Sequence, residues 1–347
     1  MSDSMNAARL QRIGRKLIID RIPVPVILPV DVLVRVRAAG ICHSDINYRK
    51  GVAPVGKLPL TLGHEIAGTV AKTGRKVKGL RVGDRVLVHY IVSCGRCAHC
   101  SANQENYCVK YQMVGKDVDG GFAEYVRVPA RSIVKLPESI PFDQGAVMGC
   151  AVPTAYHALR RARVRPGDTV VVFGVGGLGI HAVQLAAKIF KAGTVVGIDL
   201  ATRKLKEAKR VGARETVNPS TQDVVKAVHR ITDGKLADVV LDFVGVNQTI
   251  GQGIDCVGKG GRFALVGIGA KSMQISPYKT IIGKEMEIIG VDDHLKTELV
   301  QLVKLVHSRK LDLSRSVTHR VRLEDINSGF KILEDSSENP IRVVALT

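Results

Sequence analysis

A chain of 347 residues is too long for one ordinary core, so two domains are the default. Hydrophobic residues at 45% and charged residues at 24% give a soluble globular composition, while the absence of Trp and 4% aromatics argue against stacking platforms for single-stranded nucleic acid. The formal charge of +19 comes from Lys and Arg spread along the whole chain, without a run of five like charges or an Arg-rich tail, which fits a solvated positive field better than a nucleic-acid module.

No uninterrupted apolar stretch reaches the roughly 18 residues of a membrane span. The opening MSDSMNAARLQ lacks the charged and apolar regions of a signal peptide, so a cytoplasmic protein with no membrane partner is expected. Seven cysteines are an odd number for a disulfide framework, and Cys94, Cys97, Cys100 and Cys108 cluster too tightly to bridge distant parts of a fold. Metal binding in a reducing compartment fits them better.

From the start to about residue 128 the chain consists of short β-rich runs punctuated by Gly and Pro. Val32, Val34 and Val36 alternate with Leu33, Arg35 and Arg37, and residues 86–88 and 125–128 are further runs. This reads as a compact, barrel-like β domain in which Pro23, Pro25 and Pro29 confine the early segment to a loop or an edge strand. Within it, Cys42, His43, Ser44 and Asp45 are followed by Gly63, His64 and Glu65. A thiolate and an imidazole are two of the three protein ligands of a catalytic zinc whose fourth position stays open, and Ser44 is placed to sit beside that position. Taken alone, such a pair is as readily two core residues.

The four clustered cysteines follow as C-x2-C-x2-C-x7-C, the spacing of a closed, tetrahedral structural zinc site. Disulfides or four unconnected thiols are the alternatives, but pairing among Cys94, Cys97 and Cys100 would strain disulfide geometry.

After Cys150 the pattern changes. Residues 169–173 form an apolar, β-branched strand, followed at once by Gly174, Val175, Gly176, Gly177, Leu178 and Gly179, a helical run through 187 and a second strand at 194–198. Asp199 lies twenty residues past the last glycine. This is the full context of a dinucleotide-binding turn: Gly174 permits the tight turn, Gly176 lets the pyrophosphate approach the backbone, and Gly179 lets helix and strand pack closely. Asp199 would bind the adenosine ribose hydroxyls and repel a 2′-phosphate, so NAD is expected over NADP, with Arg203 and Lys204 as opposing charges. A flavodoxin-like domain without nucleotide is the alternative. Helices at 203–211, stopped by Gly212, and at about 223–231, with strands at 238–243 and 262–266, continue a parallel doubly wound α/β sheet. Leu295, Leu299, Leu302 and Val306 mark one face of a later helix, and a β run at 341–346 closes the chain.

Glycines at 68 and 74 and Val77 complete a pattern around Gly63, His64 and Glu65 in which the sequence resembles the zinc-containing alcohol dehydrogenases of the medium-chain dehydrogenase/reductase superfamily. The resemblance covers essentially the whole chain, with the motifs in the family's order. It implies a GroES-like, β-rich catalytic domain over 1–153 with a zinc lobe at about 94–108, a NAD-binding Rossmann domain over 154–293, and a return of 294–347 to the catalytic domain. It also implies a third catalytic zinc ligand, Cys150 in GAVMGCAVPTAYHAL, leaving only Cys256 as a structural thiol. By the same resemblance Asp45 orients His64, Glu65 approaches the zinc during ligand exchange, His43 and Arg342 contact the cofactor pyrophosphate, Lys204 lies near the adenosine ribose, and Tyr90 lines the substrate pocket.

The implied reaction moves hydride between a small alcohol, with an aldehyde or ketone as product, and NAD. Two zinc ions per subunit and a homodimer or homotetramer go with it. One position departs from the family: Asn47 stands where many members have a proton-relaying His, and Asn cannot take up a proton at neutral pH. A polyol or sugar dehydrogenase of the same superfamily is the nearest alternative, for which a glutamate would be expected in place of Cys150. A zinc-free quinone reductase would lack the ligands altogether. A basic, zinc-stabilised nucleic-acid-binding protein rests only on the charge and the four-cysteine lobe.

Overall fold

The computed structural model describes residues 3–269, 272–335 and 338–347. The chain divides into two units, Met1–Pro153 with Leu295–Thr347, and Thr154–His294.

The spine of the first unit is the strand Asp31–Ile41. Its valines are buried as the alternation predicts, but Leu33 is buried as well, and only Arg35 and Arg37 reach solvent. Alternation fails here because the strand is enclosed: Glu65–Thr73, Tyr125–Pro129 and Arg342–Leu346 all pair with it in antiparallel fashion, and the helix Phe142–Val147 packs on it. The sheet runs Ile133–Lys135, Arg85–Val88, Glu65–Thr73, Asp31–Ile41, Arg342–Leu346, Val317–Arg322, with Tyr125–Pro129 attached to the central strand. The early prolines act as expected: Ile18–Pro23 is the outer strand of a separate three-stranded sheet, and the chain leaves it at Pro23. The last strand, Arg342–Leu346, lies between Asp31–Ile41 and Val317–Arg322, so the chain terminus helps build the core sheet.

This pairing matters for function because it aligns strand ends. Gly40 pairs with Glu65 and Ile41 with Val343, which puts Cys42, His64, Glu65 and Arg342 at one end of neighbouring strands.

The second unit is a six-stranded parallel sheet in the order Glu215–Val217, Thr194–Ile198, Thr169–Phe173, Ala237–Asp242, Val257–Leu265, Glu287–Gly290. Strand order reverses between Thr169–Phe173 and Ala237–Asp242, the switch point at which open α/β sheets bind ligands. The first two strands by sequence coincide with the sequence reading, and their all-apolar burial is what helices on both faces require. The strand expected at 262–266 begins earlier, at Val257. Gly258, Gly260 and Gly261 lie within this strand, at a register irregularity between the pairs Ala237 with Val257 and Val239 with Arg262. Helix Thr202–Val211 ends at Gly212, and helix Val224–Ile231 starts from Asp223, whose carboxylate accepts the Lys226 N–H at 3.0 Å. In the first unit, helix Lys296–His307 buries Leu299 and Leu302 as read, with Val303 in addition.

Candidate active site

Cys42 ends the central strand and caps the helix His43–Lys50. Asp45, three residues on, accepts the Cys42 N–H at 2.9 Å through Oδ2, so the stretch Cys-His-Ser-Asp forms a capping box with a cysteine in the usual Ser/Thr place. The sulfur thereby sits at the positive end of the helix, which favours a thiolate. The other Asp45 oxygen accepts the Gly63 N–H at 3.3 Å and faces His64 Nδ1 at 3.2 Å. Gly63 has φ +92, a conformation suited to glycine, and this turn delivers His64 to the site. Asp45 and His64 are both fully buried.

His64 Nδ1 is engaged by Asp45, which leaves the Nε2 lone pair directed elsewhere, and Nε2 has no hydrogen-bond partner in the protein. Glu65 presents the same pattern. Its Oε1 pairs with the Arg342 guanidinium, while Oε2 is buried without a partner. One ligand atom from each of Cys42, His64, Glu65 and Cys150 falls within 4.8 Å of every other. All four residues are buried. Gly40 makes room for this arrangement, since a Cβ there would overlap the Glu65 carboxylate.

The electrostatics are those of a cation site. The Cys150 thiol, as hydrogen-bond partner, holds Cys42 well below the ordinary thiol range, with His64 and Arg342 acting in the same direction against burial. Cys150 is pushed up correspondingly by Cys42 and by burial. Burial opposes charge on His64, but Asp45 and Cys42 outweigh it and hold its pKa well above the usual value. Burial lifts Glu65 to about 7 despite Arg342. A divalent cation would replace the protons these groups otherwise compete for, and two sulfurs with one imidazole nitrogen are a donor set suited to zinc. The residues present therefore fit zinc.

The remaining residues assigned from sequence fall around this cluster or in the second unit. Ser44 Oγ lies 3.7 Å from Cys42 Sγ, and His43 is exposed beside it. Tyr90 is buried and meets the His64 ring edge-on, with centroids 5.3 Å apart. Arg342 is 2% exposed and ion-paired to Glu65, so a phosphate contact would have to share that guanidinium. In the second unit Gly174 turns with φ +79, and a Cβ on Gly179 would overlap the Gly174 carbonyl. A Cβ on Gly176 would meet only Lys204 Nζ, at 3.7 Å, so the turn leaves an open cradle beneath an ammonium. Helix Gly179–Lys188 starts there, next to Gly177 and Leu178. Asp199 is half-buried, and one of its oxygens accepts the Ala201 N–H at 2.9 Å.

The four-cysteine lobe forms a second, distinct group of possible ligands. Its ligand atoms also fall within 4.8 Å of one another, with Cys94–Cys100 and Cys97–Cys108 sulfurs each 4.0 Å apart. A tetrahedron of thiolates at ~2.3 Å from zinc has edges of about 3.8 Å. All four are free thiols, so the disulfide alternative fails. The Cys94 and Lys110 N–H groups point at Cys108 Sγ at 3.2 and 3.4 Å, the kind of backbone donation that supports a metal-bound sulfur. Backbone donation lowers Cys94 to about 6, and burial raises Cys100 to about 11.

Sequence reading alone missed two parts of the site. The capping box left only a partial signal, a Cys with an acid three residues on, because a cysteine at the cap position breaks the familiar Ser/Thr pattern. The Glu65–Arg342 pair carried no local signal, because its partners are 277 residues apart.

A β-rich unit with a buried Cys-His-Cys set that fits zinc, together with a doubly wound unit with a glycine-rich turn of the dinucleotide-binding kind, points to a zinc-binding, nicotinamide-linked oxidoreductase. Comparison with known proteins agrees. Residues 29–138 match the alcohol dehydrogenase GroES-like domain and residues 177–308 the zinc-binding dehydrogenase domain. The chain is 35% identical over 341 residues to a NAD-dependent alcohol dehydrogenase of Sulfurisphaera tokodaii, covering 95% of this chain and 97% of that one. A sorbitol dehydrogenase of Bacillus subtilis is 33% identical over 322 residues, covering 91% and 90%. The crystal structure of the alcohol dehydrogenase of Aeropyrum pernix superposes with a TM-score of 0.91 at 35% identity, over 99% of this chain and 100% of that one. The chain belongs to the zinc-type alcohol dehydrogenase family.

Proposed function

We propose that the protein interconverts primary or secondary alcohols with the corresponding aldehydes or ketones, with NAD as the hydride partner. The observation that carries this reading is the buried set Cys42, His64 and Cys150 with Glu65, one ligand atom of each within 4.8 Å of the others, in which His64 Nε2 and Glu65 Oε2 have no hydrogen-bond partner. Zinc there would supply the Lewis acidity that lowers the pKa of an alcohol, and NAD the hydride-accepting ring.

The chain's own residues would do the rest. Cys42, His64 and Cys150 hold the metal, and Asp45 fixes the His64 tautomer. Glu65 acts in ligand exchange, with Arg342 as its counter-ion. Ser44 takes up the alcohol proton and passes it to water or to the exposed His43, since Asn47 cannot relay it. Tyr90 lines the pocket. Gly174, Gly176, Gly177, Leu178 and Gly179 seat the pyrophosphate, while Asp199 binds the ribose hydroxyls and Lys204 lies near the adenosine ribose. The four lobe cysteines hold a second, structural zinc, giving two per subunit. Among the described residues no helix is long and apolar enough to cross a membrane, and we take the protein to be a cytoplasmic homodimer or homotetramer.

NADP is a second reading, favoured by Lys204 Nζ over the Gly176 cradle and by the exposed Arg203. Nicotinamide absorbance with a panel of alcohols and carbonyls, NAD and NADP side by side, with and without a zinc chelator, tests the proposal. Chelator-sensitive turnover with NAD is expected. Protein that binds neither zinc nor NAD would contradict it.

A further inference from the structure

The switch point of the second unit contains one fully buried carboxylate outside the metal cluster. Asp242 ends the strand Ala237–Asp242 and is 0% exposed. Burial raises its pKa, so keeping a carboxylate there is costly. Its side chain is spent on the chain that follows it. Oδ1 accepts the Val244 and Gly245 N–H groups at 2.8 and 3.0 Å, and Oδ2 accepts the Thr249 hydroxyl at 2.9 Å. Its backbone carbonyl accepts from the Val266 and Gly267 N–H groups, each at 2.9 Å. The next residue, Phe243, donates its N–H to the Phe173 carbonyl at 3.0 Å, at the end of the strand that leads into the glycine turn.

Three strand ends are therefore tied together at this residue. The contacts between their loops are close. A Cβ on Gly174 would lie 2.6 Å from Val244 Cγ2, and Gly245, with φ +74, leaves no room for a Cβ against the Gly267 carbonyl. The turn 243–246 and the segment 266–269 thus pack together as one wall at the strand ends of the switch point, against Gly174 of the glycine turn. In a doubly wound sheet each half of the strand order serves one nucleotide of a dinucleotide. Asp199 marks the adenosine half beyond Thr169–Phe173, so the wall held by Asp242 faces the other half.

We propose that Asp242 is a positioning residue for the nicotinamide half of the cofactor, holding the 243–246 and 266–269 wall in its binding shape. This rests on the reading of the second unit as a NAD site. Binding of NAD and of AMP, which carries only the adenosine half, to the zinc-loaded full chain separates the possibilities. Asp242→Ala is expected to weaken NAD binding by about tenfold or more while AMP affinity stays within about twofold, because two backbone donors lose a charged acceptor. Asp242→Asn keeps an acceptor for both N–H groups and should restore NAD affinity to within about threefold of the parent chain. If Asp242→Ala does not fold, Thr249→Val carries the test: it releases one bond to the carboxylate and should weaken NAD, but not AMP, by about threefold. Equal NAD affinity in the folded Ala variant or, where that variant does not fold, in Thr249→Val overturns the proposal, as does a parallel loss of AMP binding. A parent chain that binds AMP but not NAD would instead overturn the cofactor reading itself.

Discussion

The two cysteine clusters use the same ligand chemistry for opposite ends. The lobe takes four thiols from a fifteen-residue stretch, 94–108, three of them half-exposed, and supports them with backbone N–H groups. The buried cluster takes ligands from positions 42, 64 and 150 and surrounds them with side-chain charges, Asp45 behind His64 and Arg342 beside Glu65. Four thiolates would complete a tetrahedron around zinc and leave no position for a reactant, whereas two thiolates and one imidazole would leave one open. In this molecule the proposed bracing site is built from one short stretch of chain, whereas the proposed reactive one is assembled by the pairing of distant strands.

Breaking each cluster should therefore give different phenotypes. The largest effect is expected from Cys42→Ser, which removes a ligand at the open site: turnover should fall by about a thousandfold or more while the fold persists, as checked by steady-state rates and circular dichroism. Cys97→Ser should act on stability instead, lowering the thermal midpoint by an amount reflecting several kcal/mol of lost metal-linked folding energy and leaving turnover of the folded fraction intact. Asp45→Asn sharpens the contrast by sparing the ligands and altering what orients one of them. A loss of about 10- to 100-fold in zinc affinity or rate is expected, measured by competition with a chelator.

The smallest effect lies at the C-terminal end of the helix His43–Lys50, where Arg49 and Lys50 reach Glu334 at 2.8 and 2.7 Å. Burial works against ionised Glu334, yet these two cations hold its pKa below the ordinary carboxylate value. A depressed carboxylate stabilises the fold above its unfolded pKa, and that contribution is lost as pH falls through the folded value. Glu334→Gln should cost about 0.5 kcal/mol in denaturant melts at neutral pH, and the difference from the parent should vanish in acid.

The same contrast explains what was legible in the sequence. The lobe could be read from spacing alone, because all its ligands come from one short stretch. The glycine turn was equally legible, since strand, turn, helix and acidic residue occur in a row between 169 and 199. Cys150 carried no such signal: it follows His64 by 86 positions, and only resemblance to a family pointed to it. Arg342 was assigned by resemblance to phosphate, whereas the partner it shows in the structure is Glu65, which only the pairing of the last strand with the central one brings within reach. The alternation at Val32 to Val36 misjudged Leu33 for a related reason, since enclosure by neighbouring strands and a helix cannot be seen from one strand's pattern.

The account's central claim is that the buried cluster is the reactive metal site and the lobe a bracing one. The most direct test is zinc content per chain, by elemental analysis, measured together with NAD-linked alcohol turnover on the parent chain, Cys42→Ser and Cys97→Ser. The account predicts two zinc ions in the parent, with the Cys42 variant losing one along with its turnover and the Cys97 variant losing one while its folded fraction keeps turnover. A folded Cys42→Ser protein that retained both zinc ions and full activity would contradict it.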